Sequence, residues 1–575
     1  MAETSGERHL TTSQQAQNAD QAAPDAGNQK ARPIGKPLKD QRIRSFEELP
    51  RARVAATLLG VMTALFMAAL DQTIVGTAMP RIVADLRGFD LYAWTVTAYL
   101  VSSTAVVPIF GKLGDLFGRK RFLLAGVGLF IGASVLCGLA QSMYQLIAFR
   151  GLQGVGAGLT FSMAFTTIAD LFPPARRARV TGIFSAVFGL ASVIGPALGG
   201  VLTDGPGWRW VFYINVPIGA AAMVALLCFY PAIRPVPRGP VRIDLAGAVS
   251  LMLAVVPMLL ALSWGGRVYA WSSPIVVGCL STSAVMTLLF LWVEHRAAEP
   301  IIPPALFHHS VVTITIVATV LTSAGMYGTL LFVPLFIQAV LGTGATQSGA
   351  VLTPMMVSMV LSSLAAGQLL ARVGKYRVLA ISGVAVATVG MGLLATMGPQ
   401  ASYGTIVRNM VVIGLGLGVT MPIFPLAVQN AVPYEIVGVA SAASQFFRSM
   451  GGALGSAVFG ALLANRFAPS FQAALPSHIL QAIPASALER IENPQALFNP
   501  ELAGAIQQAI AIPGAPGRAV AQQVLAAIRA ALATSLQDVF VASTCIMMAA
   551  TLILLLLKDI PLRRSNRTAP RTTES

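Results

Sequence analysis

Fourteen apolar runs alternate with short polar segments between residues 54 and 557. Each is long enough to cross a bilayer, whose hydrocarbon core takes about 20 helical residues. The first six predicted helices lie near 54–79, 92–111, 121–140, 145–169, 180–202 and 210–231, and two more near 244–264 and 274–294. The last six lie near 312–338, 347–370, 376–397, 404–428, 437–463 and 539–557. Residues 1–52 are rich in Gln, Ala, Pro and charge, which predicts a disordered cytoplasmic tail. Residues 464–538 carry charges and Pro breaks and read as an extracytoplasmic insertion. Its stretch 519–536 alternates apolar and polar residues at helical spacing. That predicts short amphipathic helices packed over the mouth of the protein or lying on the outer leaflet, with a loosely structured spacer as the alternative.

The punctuation between the runs repeats. Gly111-Lys-Leu-Gly-Asp115-Leu-Phe-Gly118-Arg119-Lys-Arg121 returns as Gly367-Gln-Leu-Leu-Ala371-Arg-Val-Gly374-Lys-Tyr-Arg377. Arg150, Gly156 and Gly158 return as Arg408, Gly414 and Gly416, and Ile194–Gly200 returns as Met450–Ser456. An offset of 256 residues carries helix 2 onto helix 10 and helix 5 onto helix 13, so helices 7 and 8 have no counterpart. The expected architecture is an all-α integral membrane protein of two six-helix bundles, 53–231 and 312–558. A linker, 232–311, carries the inserted central pair, and 559–575 forms a second cytoplasmic tail. Parallel repeats in a membrane are the build of alternating-access transporters, with substrate held between the halves.

Composition agrees. Only 11% of residues are charged, 55% are hydrophobic and mean hydropathy is +0.71, too little charge to cover a soluble surface. The net charge of +16 could suggest nucleic acid, but its placement argues otherwise. Of 39 Lys and Arg, 28 fall in the two tails and the even-to-odd loops, eight fall in the opposite loops, and Arg150, Arg408 and Arg448 lie in or beside apolar runs. That bias predicts both termini in the cytoplasm, and no nucleic-acid partner is expected. Each of the four cysteines sits alone in an apolar span, spaced for neither a metal nor a disulfide. With no apolar signal sequence in the first 50 residues, the first span is expected to direct insertion.

Asp71 stands inside the first helix, in Leu70-Asp71-Gln-Thr-Ile-Val-Gly-Thr-Ala-Met-Pro80. A carboxylate in hydrocarbon is costly and marks a proton or cation path facing the bundle interior, or else a structural Asp bonded to nearby backbone. Arg150 opens helix 4 with the glycine run Arg150–Gly158. A buried guanidinium needs an acceptor, and Asp71 would serve if helices 1 and 4 face each other. The glycines suit close helix packing better than a nucleotide loop, lacking a preceding strand. In the helix 2–3 loop, Gly111, Asp115, Gly118, Arg119 and Arg121 could form a latch, Asp115 pairing with a base or a helix N-terminus in one conformation only. The second copy has Ala371 in place of Asp115, which puts an equivalent latch there in doubt. Gly195, Pro196 and Gly199 kink and thin helix 5, permitting tight contact with a helix of the other half. Arg408 and Arg448 are either substrate or proton-path residues or interfacial snorkellers. His308-His309 lack further ligands, and no phosphate-binding lysine motif suggests an ATP-driven pump.

At these residues the chain resembles the major facilitator superfamily, in particular its fourteen-helix drug:proton antiporter branch. Gly111–Arg121 resembles that family's loop signature, Leu70–Pro80 its helix-1 motif, Arg150–Gly158 its helix-4 motif, and Ile194–Gly200 its helix-5 antiporter motif. The resemblance covers roughly 54–464 and helix 14. It implies that Asp71 and Arg150 couple protons, that Asp115 and Arg119 gate, and that Gly195 and Pro196 form the antiporter hinge. No enzyme activity, metal or cofactor is expected, the proton gradient being the energy source. The expected function is proton-driven export of amphipathic, often cationic, drugs or other small molecules across the inner membrane. Asp71 protonation and substrate binding would compete for one cavity. Export of an endogenous lipid or metabolite is the alternative, ahead of import or a non-transporting receptor. Membrane lipid is an expected partner, and an accessory envelope protein is an open question. Phe161, Met163, Phe165, Met326, Tyr327, Phe446, Phe447 and Arg448 are candidate cavity residues. Because the acids and the proline occur only in the first copy, proton coupling is assigned to the N-terminal bundle and mainly substrate contacts to the C-terminal one.

Overall fold

A computed structural model describes residues 50–562, apart from 88–90, 173, 232–242, 267, 342–350, 399, 434–435 and 476–515. The predicted N-terminal tail, most of the linker between helices 6 and 7, and the middle of the 464–538 segment lie outside the described residues. Among the described residues, fourteen helices are long and apolar enough to cross a membrane. They are α1 Arg51–Leu86, α2 Tyr92–Phe117, α3 Arg119–Leu139, α4 Met143–Leu171, α5 Pro174–Asp204, α6 Trp210–Phe229, α7 Leu245–Trp264 and α8 Pro274–Arg296, then α9 Ser310–Leu335, α10 Leu352–Val373, α11 Tyr376–Ala395, α12 Tyr403–Ala431, α13 Val437–Ala474 and α14 Pro516–Leu555.

Local chemistry sets several boundaries. Ser142, Asp244, Ser273 and Ser402 cap α4, α7, α8 and α12, each accepting a backbone N–H three residues on. Gly118 (φ 93°) separates α2 from α3, and Gly374 (φ 71°), 256 positions later, ends α10 before α11. Both need backbone angles that glycine adopts without penalty. Many large apolar side chains face outward, with Leu288, Leu361 and Leu552 being 69%, 60% and 58% exposed. Such surface is favourable in lipid and costly in water, and the protein is a multi-pass membrane protein.

Packing follows the repeat. In the first bundle α2 and α3 pack on α4, α1 packs on α5 and α6, and α3 on α6. Eight helices later, α10 and α11 pack on α12, α9 on α13 and α14, and α11 on α14. The halves meet through the paired seams α2–α13 and α5–α10. The inserted α7–α8 pair lies against the first seam, α7 touching both α2 and α13. There Thr97 and Ser263 share a 2.7 Å hydrogen bond, and the Trp94 and Trp264 rings lie 4.4 Å apart.

Two expectations are corrected. Gly195 and Gly199 do not face the other half. A Cβ at Gly199 would stand 2.7 Å from the Ile74 carbonyl, and one at Gly195 would meet Thr73, both on α1. Gly451 and Gly455 seat α13 on α9 in the same way. The close approaches between halves use Gly182, against the Ser363 carbonyl, and Gly111, against Ala442. Residues 464–474 and 516–538 are also not separate short helices. They continue α13 and α14, at 38 and 40 residues. A 40-residue helix is about 60 Å long, so the pair extends past the apolar layer. Its apolar faces stay joined through Phe467, Phe471, Val524, Ile528 and Leu532, so burial extends the helices where the mixed sequence suggested a break.

Candidate functional site

Three arrangements converge on the interior. The first is a buried polar cluster inside the N-terminal bundle. Asp71 is fully buried on α1 and pairs with Arg150 of α4, Nη1 to Oδ2 at 2.5 Å. Its other oxygen, Oδ1, accepts from Gln153 Nε2 at 2.8 Å and from Asn215 Nδ2 at 2.9 Å. Arg150 Nη1 also donates to Gln153 Oε1, while Gln153 Nε2 and Asn215 Nδ2 donate to Ser134 Oγ. The guanidinium lies 4.3 Å from the centre of the Tyr99 ring, a cation–π contact. Residues from α1, α2, α3, α4 and α6 thus meet in one cluster around that carboxylate. Removing one partner of a buried pair strands the other charge, at about 3–5 kcal/mol. Sequence reasoning found Asp71 and Arg150, because charges in hydrocarbon need partners. It missed the roles of Gln153, Asn215, Ser134 and Tyr99, whose neutral side chains leave no comparable signal in an apolar span.

The second arrangement closes the α2–α3 end. Asp115 Oδ2 accepts the backbone N–H of Val439, the third residue of α13, at 2.9 Å. A carboxylate here neutralises the positive end of a helix otherwise lacking a side-chain cap. Asp115 Oδ1 also accepts from Arg119 at 2.8 Å, and Arg119 pairs with Asp170 and donates to the Thr166 carbonyl. Asp115 therefore contacts both a base and a helix N-terminus, and the helix belongs to the other half. Lys112 adds an ion pair to Glu299 beyond α8, at 2.5 Å. Arg121 is exposed and makes no ion pair among the described residues. In the second copy the corresponding residues stay within their own half. Arg377 donates to the Leu555 carbonyl and, through its backbone, to Asp559, and Tyr376 donates to the Lys558 carbonyl.

The third is a central cavity of about 530 Å³, of the size that holds a drug-like molecule. Phe161, Phe165, Met326, Tyr327 and Arg448 line it, as do Gln72, Phe184 and Phe188. Met163 does not. It is fully buried against Gly114, where α4 packs on α2. Phe446 and Phe447 also turn away, into a cluster with Phe307 and the inserted pair. Arg408 is exposed and donates to Asn409. Asp71 is absent from the lining. Its neighbour Gln72 faces the cavity while Asp71 faces the bundle interior, since adjacent helical positions point about 100° apart. The division of labour between halves is also less sharp than expected. The N-terminal bundle supplies all four cavity phenylalanines, and α7 supplies Leu259, Leu262 and Ser263.

Residues 61–456 match the family model described as Major Facilitator Superfamily. The "Multidrug transporter protein MdtP" of Bacillus subtilis is 38% identical over 530 residues, 92% of this chain and 97% of that protein. "Multidrug resistance protein 3" of the same species is 38% identical over 465 residues, covering 80% and 89% respectively. Among solved structures, the human organic anion transporter MFSD10 aligns at a TM-score of 0.55 and 14% identity, over 87% of this chain and all of that one. The proton:xylose symporter XylE aligns at 0.55 and 13%, covering 89% and 98%. At those identities the two structures are similar in fold alone.

Proposed function

The chain belongs to the major facilitator superfamily, and from that premise we propose that it is a proton-coupled exporter of small amphipathic molecules. The cargo class is carried over from the named drug transporters, with which the chain shares 38% identity over most of its length. The coupling rests on one observation, the fully buried Asp71–Arg150 pair in a membrane-crossing bundle. A proton on Asp71 cancels the charge that holds Arg150, Gln153 and Asn215 around it. Because Asp71 lies behind Gln72, proton and cargo do not share a cavity. Coupling passes through α1. Thr73, two residues on, donates to the Ala191 carbonyl of α5 at 3.1 Å, and Gly195 and Gly199 hold the same seam. A shift of α1 on α5 then moves the Gln72 wall of the cavity.

The inside-positive charge bias supports an inner-membrane location with both termini cytoplasmic. On that orientation the latch closes the cytoplasmic end in this conformation. Breaking Asp115 from α13 opens the cytoplasmic side.

Asp71→Asn tests the reading in proteoliposomes. Asparagine keeps the shape and removes the charge, so the variant inserts while cargo-driven proton release is lost. Unchanged proton release would sink the mechanism.

A further inference from the structure

Among the described residues that line the cavity, Arg448 of α13 is the one charged side chain, and no Asp or Glu stands beside it as a counter-ion. Its sole hydrogen-bonding neighbour among the described residues is the thioether of Met421, 3.3 Å from Nη1. A thioether is a weak acceptor and leaves the guanidinium's donors unmet. By contrast, Arg150 and Arg119 have carboxylate partners. A small side pouch beside Arg448 is lined by Thr319, Thr322, Ser323 and Thr420. Thr322 Oγ1 is buried there with no hydrogen-bond partner, a costly condition that calls for an occupant. A guanidinium beside an unused hydroxyl, with no acid among the described lining residues, makes a corner rich in hydrogen-bond donors and free of negative charge. The lining also includes Phe161, Phe165, Phe184 and Phe188.

We propose that the cargo is an amphipathic organic anion, whose acidic head pairs with Arg448 at the α9–α13 side while its apolar body lies on the phenylalanines of the N-terminal bundle. Guanidinium and carboxylate match as a two-pronged, charge-assisted pair, and the hydroxyl of Thr322 adds a neutral donor. An organic cation would place like charges together in a low-dielectric space. This proposal departs from the sequence-based expectation of often cationic cargo. It rests on the exporter reading for its direction of movement, but not for the charge of the ligand.

Two xanthene dyes of similar body and opposite charge, fluorescein and rhodamine 6G, test it by fluorescence anisotropy on the purified full-length protein. Wild-type protein is expected to bind fluorescein at least about tenfold more tightly, as one charge-assisted contact predicts. Arg448→Gln erases that preference, Arg448→Lys keeps part of it, and Arg448→Glu reverses it. Equal or tighter rhodamine 6G binding by wild type overturns the proposal, whether or not any variant folds. Unchanged fluorescein affinity in Arg448→Gln overturns it too. Displacement of fluorescein by 2-naphthoate identifies a free aromatic acid as cargo, and displacement by lysophosphatidylglycerol alone identifies a lipid head group. Dye movement in proteoliposomes under a proton gradient is a separate readout. Fluorescein binding without gradient-driven movement sinks the exporter reading and leaves the anion site standing. Gradient-driven movement of rhodamine 6G, untouched by Arg448→Gln, does the reverse.

Discussion

At the scale of single residues, the cluster around Asp71 separates into a charged pair that the sequence exposes and neutral partners that it hides. Asp71 and Arg150 stand out because hydrocarbon tolerates neither alone. Asn215 sits in α6 with no such signal, yet its amide holds Asp71 Oδ1 at 2.9 Å. Asn215→Ala removes that donor from a buried carboxylate, at a cost of about 1–3 kcal/mol. The variant should unfold at a lower temperature in detergent and turn over protons more slowly. Its dye affinity should stay unchanged, because Asn215 does not line the cavity. A fall in dye affinity without a change in proton turnover would place Asn215 in the wrong compartment. Met163 teaches the complementary lesson. Hydrophobicity marks a residue as inside the protein, but which interior surface it meets depends on helix rotation. Phe161 and Phe165 reach the cavity, while Met163, between them, fills the space at Gly114.

At the scale of helices, the latch is an interaction between a loop and the end of another helix. Asp115→Ala uncaps α13 and leaves Arg119 with Asp170 as its only carboxylate partner among those shown. Losing a cap and its dipole interaction costs about 1–2 kcal/mol, a shift of roughly 5- to 30-fold toward the conformation open at that end. Gly438→Ala should do the same with every charge kept, since its Cβ would fall on the Asp115 carboxylate. Spin labels on the α2–α3 and α12–α13 ends would report a longer distance population in both variants. Gly438→Ala behaving like wild type would mean that the Asp115 contact with α13 does not hold that end closed. The fourteen helices and their order were legible because hydropathy and the repeat agree. The partner of Gly195 was not, since a glycine face fits any helix and only the fold chooses α1. The lengths of α13 and α14 were hidden for a related reason. Phe471 and Ile528 carry no sign in the sequence of which surface they meet, and the structure packs both in the same cluster. Deleting 468–534 would therefore tear out packed helix turns, so loss of transport in such a variant would not identify a lipid cargo.

At the scale of the whole molecule, an anionic cargo paired with Arg448 changes the charge moved per cycle. Suppose one proton enters for each molecule that leaves. A cationic cargo then makes the exchange electroneutral, a neutral one moves a single charge, and a monovalent anion moves two. One charge across 100 mV is worth about 2.3 kcal/mol, so two are worth about 4.6 kcal/mol. With anionic cargo, the steady-state gradient should rise by roughly two decades when about 60 mV is imposed at fixed pH, negative on the side the cargo leaves. Neutral cargo predicts about one decade and cationic cargo none. Potassium diffusion potentials set with valinomycin in proteoliposomes, at equal pH on both sides, measure that slope directly. The slope is independent of the dye-affinity comparison because it counts charges moved rather than contacts made. A slope of two with wild-type binding unaffected by Arg448→Gln would mean that the anion is carried elsewhere in the cavity. A slope of zero would mean that Arg448 serves the fold or the coupling, and that the lone guanidinium repels the cargo it faces.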